Sequence, residues 1–371
     1  MCGLRTEAAT RVEAAEQAGF DPNDYLRERY ATRGIARFAG PYYLLKPLLP
    51  RAVQLALRRR HARRRAQRGF PRWPTEDLLV RHQEECFRRE IRASGGDRVP
   101  FVNFWPGGHR FAFVLTHDVE GPAGIRNIER VRKVERAHGV MSSWNFVAED
   151  YEIPNGLFEK LRADGCEIGL HGIHHDHRLW RDEQTFERTL PTIHRYLKDW
   201  QVVGWRSPVT YRNADWMPRL GVLYDSSYPD TDPFEPQAGG CCSIFPFFID
   251  DLVELPITLV QDHTMWEILR QPGIDLWLEK SHWIRDNHGL VNADVHPDYL
   301  IRQDRLDLYD EFLGRLTALE GGWHALPRDV ASWWKDRARM ETSGDGVTGA
   351  GDWDATVAQA REVGDRIVYA I

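Results

Sequence analysis

The sequence predicts an α/β fold in which a parallel sheet is covered by helices. Two observations support this prediction. From Arg110 onward, short apolar runs alternate with segments of helical spacing, and polar residues cluster where the apolar runs end. The repeating unit is one strand followed by one helix. About seven or eight such units, closed into a barrel, fit the length from about residue 105 to about residue 335.

The candidate strands are short and apolar, and helical segments separate the first of them. The first strand spans 111–116 and leads into a helix over 125–138, where apolar residues have helical spacing. Further helices are predicted over 155–163 and 182–200. The later predicted strands are 141–147, 166–170, 202–205, 222–225, 252–256 and 291–296.

The two ends of the chain lack this alternation. Residues 1–104 are predicted to form a helical, arginine-rich extension, residues 105–338 the barrel, and residues 339–371 a linker with a short C-terminal element. Between Arg51 and Arg72 the chain has nine arginines and no acidic residue. An amphipathic helix of this composition is suited to acidic lipid head groups, and the alternative is a solvated helix paired with the acidic body. No nucleic-acid partner is expected, because no recognised reading module accompanies the charge.

Bulk properties indicate a globular protein. The chain has 371 residues, a formal net charge of −6 and five cysteines. Because the cysteines show no C-x-x-C spacing, reduced thiols are expected rather than a disulfide framework. The first twenty residues lack the apolar core of a signal peptide, and no run of about 18 apolar residues occurs, so a cytoplasmic location is expected, with a peripheral membrane contact as an option.

Two carboxylates follow the first predicted strand. Asp118 and Glu120 stand two positions apart, and an extended backbone therefore directs both side chains to the same side. One carboxylate can hold a metal ion while the other takes a proton from water. The alternative is a solvated strand end or a helix N-cap, where aspartate is common.

A cluster of histidines follows the strand over 166–170. The spacing of His171 and His175 predicts both imidazoles on one face of a helical turn, which suits a single metal ion. A zinc metalloprotease motif would need glutamate directly after the first histidine, where this chain has Gly172. His174 and His177 are expected to support the ligands or to lie at the surface.

Arg206 and His296 follow two later strands. Arg206 could orient a carboxylate through two hydrogen bonds, and His296 could protonate a leaving group. The alternatives are a surface or capping cation for Arg206 and a turn residue before proline for His296.

Taken together and in this order, these segments resemble the motifs of the polysaccharide deacetylase family, also called the NodB-homology or carbohydrate esterase family four. Residues 171–175 look like the second motif, H-[S/T/G]-x-x-H, and residues 116–120 look like the first motif. Arg206 with Pro208 resembles the third motif, and Asp294-Val295-His296 resembles the fifth. The resemblance covers roughly residues 110–326.

The resemblance implies a distorted (β/α)7 barrel and a hydrolase that acts on carbon–nitrogen bonds other than peptide bonds. It implies that Asp118 is the general base and His296 the general acid. By the same resemblance Arg206 orients the aspartate, while His171 and His175 bind a divalent metal ion, expected to be Zn²⁺.

The first motif departs from the common pattern. T-F-D-D has adjacent aspartates, whereas Val119 stands in the second position here. Since some relatives use an acid-x-acid pattern, Glu120 is assigned to the metal. In the alternative, Asp118 itself completes the metal site.

The expected function is metal-dependent removal of an acyl group, in the first instance N-acetyl, from an amino sugar or glycan precursor. One alternative is hydrolysis of a small cyclic amide or imide, as in allantoinase-like relatives. Another is a non-catalytic glycan- or membrane-associated binding protein on the same fold. The joint presence of Asp118, Arg206 and His296 argues against a pure binding module.

Overall fold

The computed structural model describes residues 20–31, 59, 69–344 and 346–371. Within these ranges, no helix is long and apolar enough to cross a membrane. Most of the arginine-rich stretch between Arg51 and Arg72, with its predicted membrane contact, lies outside the described residues.

The elements are named here in chain order. The strands are β1 (Arg98–Val102), β2 (Phe111–Val119), β3 (Ser143–Phe146), β4 (Glu167–Leu170), β5 (Gly204–Trp205), β6 (Tyr224–Asp225), β7 (Phe247–Ile249), β8 (Leu252–Glu254), β9 (Leu290–Asp294), β10 (Gly322–His324), β11 (Glu341–Ser343), β12 (Gly346–Thr348), β13 (Val357–Val363) and β14 (Arg366–Ala370). The α-helices are α1 (Pro22–Leu26), α2 (Leu78–Ser94), α3 (Pro122–Ala137), α4 (Leu157–Ala163), α5 (Glu183–Asp199), α6 (Asp275–Asp286), α7 (Gln303–Thr317) and α8 (Pro327–Arg337), and a π-helix spans Thr264–Ile268.

Parallel strands form a curled, barrel-like sheet. Strands β2, β3, β4, β5, β6 and β8 pair in parallel in that order, and β9 pairs in parallel with β2. The ring closes between the segment after β8 and strand β9, where the Leu259 amide donates to the Asn292 carbonyl at 3.1 Å. The Thr258 hydroxyl donates to the Leu290 carbonyl at 2.7 Å across the same seam. The prediction of a distorted (β/α)7 barrel is confirmed.

The central strand β2 explains why the barrel strands are apolar. All nine of its residues are buried, since strands and helices cover it on both faces. The helices bury one stripe each. In α5, the Asp182 side chain caps the first turn by accepting from the Thr185 amide at 2.8 Å. Its buried residues have helical spacing, and each is expected to contribute roughly 1.5–3 kcal/mol; they are Phe186, Leu190, Ile193 and Leu197.

The largest difference from the predicted elements is a small antiparallel sheet made from both ends of the chain. Strand β1, in the stretch predicted to be helical, pairs with β13, which pairs with β14. A hairpin of β11 and β12 begins where the linker was predicted. The pairing of β1 with β13 cannot be seen in local periodicity, because its partners, such as Phe101 and Ala358, are distant in sequence. The three-way division of the chain at residues 104 and 338 stays a prediction.

Glu167, at the start of β4, is a buried carboxyl group without an ion-pair partner among the described residues. It accepts hydrogen bonds from the Tyr224 hydroxyl at 2.9 Å and from the Arg328 amide at 3.1 Å. Burial raises the pKa of Glu167 to about 7, because the hydrogen bonds only partly replace the lost hydration of the charged form.

We expect Glu167→Gln to flatten the loss of stability between pH 5 and pH 8. Because the folded pKa lies above the unfolded value, the stability from protonated Glu167 is fully present below the unfolded pKa and is lost as the pH rises through about 7. The stability that Glu167 loses over this whole pH range is roughly 3 kcal/mol. Urea unfolding at several pH values would measure it, with Glu311→Gln on an exposed face of α7 as the control. Parallel pH curves for the wild type and Glu167→Gln would contradict the assignment.

Candidate functional site

The residues predicted for the site meet at the carboxyl ends of the barrel strands. Asp118 is the last residue but one of β2, and Glu120 directly follows the strand. The two histidines follow β4, the arginine follows β5 and the last histidine follows β9. Side-chain contacts at this edge of the sheet link Asp118 with His171 and Arg206, and Glu120 with His175 and His296. The two sets meet where His171 lies beside Glu120 and His175.

Glu120, His171 and His175 form a group with the geometry of a metal site. One ligand atom from each lies within 4.8 Å of the others. His175 Nε2 lies 2.9 Å from Glu120 Oε1. His171 Nδ1 lies 3.0 Å from the Arg206 carbonyl oxygen, and its Nε2 is buried with no hydrogen-bond partner in the part of the chain that the structure describes. Such a contact directs the free nitrogen toward the group.

The donor set fits a divalent cation. Two imidazole nitrogens and a carboxylate oxygen are ligands that zinc and related metals accept, and a catalytic zinc commonly has three protein ligands. Burial lowers the pKa of His171 to about 4, so this imidazole is neutral at pH 7 and offers a lone pair. Burial works against the charge of Glu120, but its hydrogen bond with His175 and the nearby His296 hold the pKa of Glu120 well below its usual range.

The prediction that His171 and His175 lie on one face of a helical turn is wrong. Residues 171–177 form an irregular loop, and Gly172 has a φ of 77°, outside the helical region. Asp150 holds the loop by accepting from the His175 amide at 2.7 Å. The two rings still lie close, with centroids 5.3 Å apart, because the loop curls back over the end of β4.

Asp118 is a buried carboxylate beside this group. Asp118 Oδ1 accepts from Asn145 Nδ2 at 2.8 Å, and Oδ2 lies 3.7 Å from His171 Nε2. Burial would raise the pKa of Asp118, but His171, Arg206 and the other neighbours outweigh it and hold the pKa below its usual range. Asp118 is therefore ionised and presents one oxygen toward the centre of the site.

Arg206 lies closer to Asp294 than to Asp118, the carboxylate that it was predicted to orient. Its Nη1 lies 2.8 Å from Asp294 Oδ2 and 3.5 Å from Asp118 Oδ2. Its Nη2 donates to the Ser226 hydroxyl at 3.0 Å. The closest group that orients Asp118 is thus the amide of Asn145, which the sequence did not single out. Burial and the charge of Asp118 raise the pKa of Asp294 to about 7, against the effect of Arg206.

His296 is held by a second residue whose role the sequence did not reveal. His296 Nδ1 lies 2.7 Å from Asp262 Oδ1, and the His296 amide donates to Asp262 Oδ2 at 2.9 Å. The opposite ring nitrogen, Nε2, lies 3.6 Å from Glu120 Oε1. Burial lowers the pKa of His296, but Asp262 and Asp294 outweigh it and raise the pKa well above its ordinary value. The sequence signal that could have identified Asp262 is its position after a predicted strand.

The other histidines of these motifs lie outside the group. His117 points away from Asp118, and its ring nitrogens lie 2.6 Å from the Val295 carbonyl and 2.7 Å from Glu135 Oε1. His174 contacts Asp150 at 2.7 Å and is about half exposed.

Gly169 in β4 leaves the space that the Asn145 side chain occupies. A Cβ at Gly169 would lie 2.0 Å from Asn145 Oδ1. We expect Gly169→Ala to displace this amide from Asp118 and to lower kcat by about 10- to 100-fold, since misplacement by about 1 Å has effects of that size. Steady-state kinetics and thermal melting would measure it, with Gly273→Ala as the control, because no described atom lies within 4 Å of a Cβ there. A folded Gly169→Ala variant with unchanged kcat would contradict this expectation.

The structure is similar to solved structures of hydrolases. One is a probable polysaccharide deacetylase from Pseudomonas aeruginosa, 18% identical, with 62% of this chain and 92% of that chain covered at a TM-score of 0.49. The PuuE allantoinase is 17% identical, with the same coverages and TM-score. Peptidoglycan deacetylase PdaC from Bacillus subtilis is 13% identical, with 63% and 95% covered at a TM-score of 0.38. No protein-family model and no curated protein matches the sequence. With identities this low, the chemistry must be inferred from the side chains of this chain.

Proposed function

We propose that this protein is a metal-dependent hydrolase that removes an acyl group, in the first instance N-acetyl, from an amino sugar or glycan precursor. The observation that carries the proposal is the group of Glu120, His171 and His175, in which a buried imidazole nitrogen has no hydrogen-bond partner among the described residues. An ionised carboxylate and an imidazole held by aspartate flank this group. A metal site between a base and an acid is an arrangement that can hydrolyse an amide.

The roles follow from the contacts. Glu120, His171 and His175 would hold the metal ion, which when bound polarises an acyl carbonyl and makes water more acidic. Asp118 takes a proton from the attacking water as the new carbon–oxygen bond forms. His296, whose Nε2 faces the site, gives a proton to the nitrogen as the carbon–nitrogen bond breaks. The products are a carboxylic acid and an amine.

Supporting residues keep these groups in position. Asn145 holds one oxygen of Asp118, and Asp262 holds Nδ1 of His296. Arg206 balances the buried carboxylates of Asp118 and Asp294. Without that guanidinium, the pKa of Asp294 would rise further, and one of the two carboxylates would have to bind a proton.

A second candidate is hydrolysis of a small cyclic amide or imide, favoured by the limited exposure of the site. Asp118, His171 and His296 are at most 4% exposed, whereas the side chains of Glu120 and His175 are 28% and 25% exposed. Substrate must therefore reach the base and acid past Glu120 and His175. A narrow approach of this kind suits a small molecule or the end of a glycan better than the middle of a polymer.

Product analysis separates these candidates. The purified protein, with its metal content determined, is incubated with N-acetylated chitooligosaccharides and, separately, with allantoin. Release of acetate supports the deacetylase, and ring opening without acetate supports the cyclic amide hydrolase. Stoichiometric metal without turnover of either class of substrate would favour the binding protein, and protein that binds no divalent metal would refute the proposal.

A further inference from the structure

A cavity of about 470 Å³ lies at the end of the barrel opposite the candidate site. Its wall includes Ile244, whose carbonyl accepts from the amide of Leu290, the first residue of β9, at 2.7 Å. It also includes Asp250 and Asp251, the turn before β8. These are the amino ends of strands whose carboxyl ends face the metal group. The cavity volume falls in the range of small-molecule sites, roughly 300–1,000 Å³.

Arg337, the last residue of α8, lines this cavity and is 8% exposed. Its Nε donates to the Asn103 carbonyl and its Nη2 to the Val102 carbonyl, both at 2.7 Å. No carboxylate pairs with it in the described ranges. A guanidinium carries five N–H donors, and the described residues leave donors on both Nη atoms of its terminal edge unused.

A buried cation without a counter-ion is costly. Burial lowers the pKa of Arg337 to about 10, and the group still carries its charge at pH 7. The two carbonyl contacts anchor the side chain but leave the charge unneutralised. An anion that reached the free edge would recover this cost through two parallel charge-assisted hydrogen bonds.

The surroundings of Arg337 are aromatic. The Cζ atom lies 5.4 Å from the centroid of Phe104 and 5.1 Å from that of Trp334. Phe245, which also lines the cavity, stacks on Trp334 with centroids 6.2 Å apart. The wall next to the charge is thus suited to an apolar group.

Charged residues at the rim complete the picture. Asp250 pairs with Arg27 at 2.9 Å, and Asp251 is exposed. Lys335 adds positive charge to the lining, whereas Arg339 is exposed and lies 3.9 Å from Asp336. Among the residues that the structure describes, the buried charge without a counter-ion in this cavity is that of Arg337, which is positive.

We propose that this cavity binds a small aliphatic carboxylate, with the carboxylate on the free edge of Arg337 and the apolar chain against Phe104, Phe245 and Trp334. A carboxylate is favoured because the single buried guanidinium offers one planar edge with two parallel donors. The site is separate from the metal group, and the proposal is independent of the hydrolase assignment.

Binding of sodium decanoate to the full chain tests the proposal by calorimetry and thermal shift. We expect decanoate to bind and to raise the Tm. Decanol, which has the chain without the charge, should bind about 10- to 100-fold more weakly, as should decanoate to Arg337→Gln, because a charge-assisted hydrogen bond is lost. Inorganic phosphate, an anion without an apolar body, should not compete. Arg315→Gln, an exposed arginine of α7, is the matched control.

Leu79→Trp provides an independent test that leaves Arg337 in place. Leu79 is half-buried and lines the cavity, and the larger side chain should narrow it and weaken decanoate binding. This variant decides the question if Arg337→Gln does not fold. No decanoate binding to the wild type at about 1 mM, or equal binding to Arg337→Gln or Leu79→Trp, would overturn the proposal.

Discussion

His171→Ala is expected to remove the divalent metal from the purified protein and to lower acyl hydrolysis by about 100-fold or more. The reason is the position of His171 Nε2, which is buried beside Glu120 and His175 without a hydrogen-bond partner among the described residues. Alanine leaves two candidate ligands, Glu120 and His175, whose side chains are both partly exposed. Elemental analysis of wild-type and variant protein, followed by acetate-release assays, measures both effects.

His174→Ala is the matched control for this experiment. It removes a neighbouring imidazole that contacts Asp150 and lies outside the metal group. Metal content and activity should stay near the wild-type values. His175→Ala and Glu120→Ala should lose metal as His171→Ala does. Full metal occupancy in His171→Ala would rule out the proposed ligand set.

Asp118→Asn is expected to keep the metal and to lower kcat by about 10²- to 10⁴-fold, the range for loss of a general base. The amide has nearly the same volume and can still accept from Asn145, but it cannot take a proton from water. Metal content should persist because Glu120, His171 and His175 remain. Steady-state kinetics at saturating substrate, together with elemental analysis, measure the two effects separately.

This variant also distinguishes the two assignments of the third ligand. Loss of metal in Asp118→Asn, with retention in Glu120→Ala, would mean that Asp118 rather than Glu120 completes the metal site. Asp310→Asn, an exposed residue of α7, is the control for the same chemical change elsewhere. Undiminished turnover in Asp118→Asn would exclude Asp118 as the base.

The barrel could be predicted because its strands are buried on both sides. Strand β2 is apolar for its first five residues, and its polar residues follow at its carboxyl end, so one segment indicates both the fold and the candidate site. The histidine pair was found from its spacing, although its conformation was not. The φ of Gly172 turns the loop out of a helix, and sequence spacing alone does not reveal that.

The supporting residues could not be predicted, because their partners are distant in sequence. Asn145 reaches Asp118 from the neighbouring strand, and Asp262 reaches His296 from a loop after β8. Asparagine in a strand and aspartate in a loop are common for many structural reasons. Asn145 contacts Asp118 because the register of β2 against β3 sets the two residues opposite each other, and the sequence does not reveal that register.

The sheet of β1, β13 and β14 has a consequence for synthesis. Strand β1 leaves the ribosome before the barrel, but its partner β13 leaves only after the barrel has been made. During translation, the backbone edge of β1 is therefore unpaired. Its residue Phe101, which packs against Tyr369 of β14 in the finished protein, then lacks that contact. Exposed edges of this kind invite pairing with other chains. We therefore expect the nascent chain to be more prone to aggregation before β13 pairs with β1 than after it.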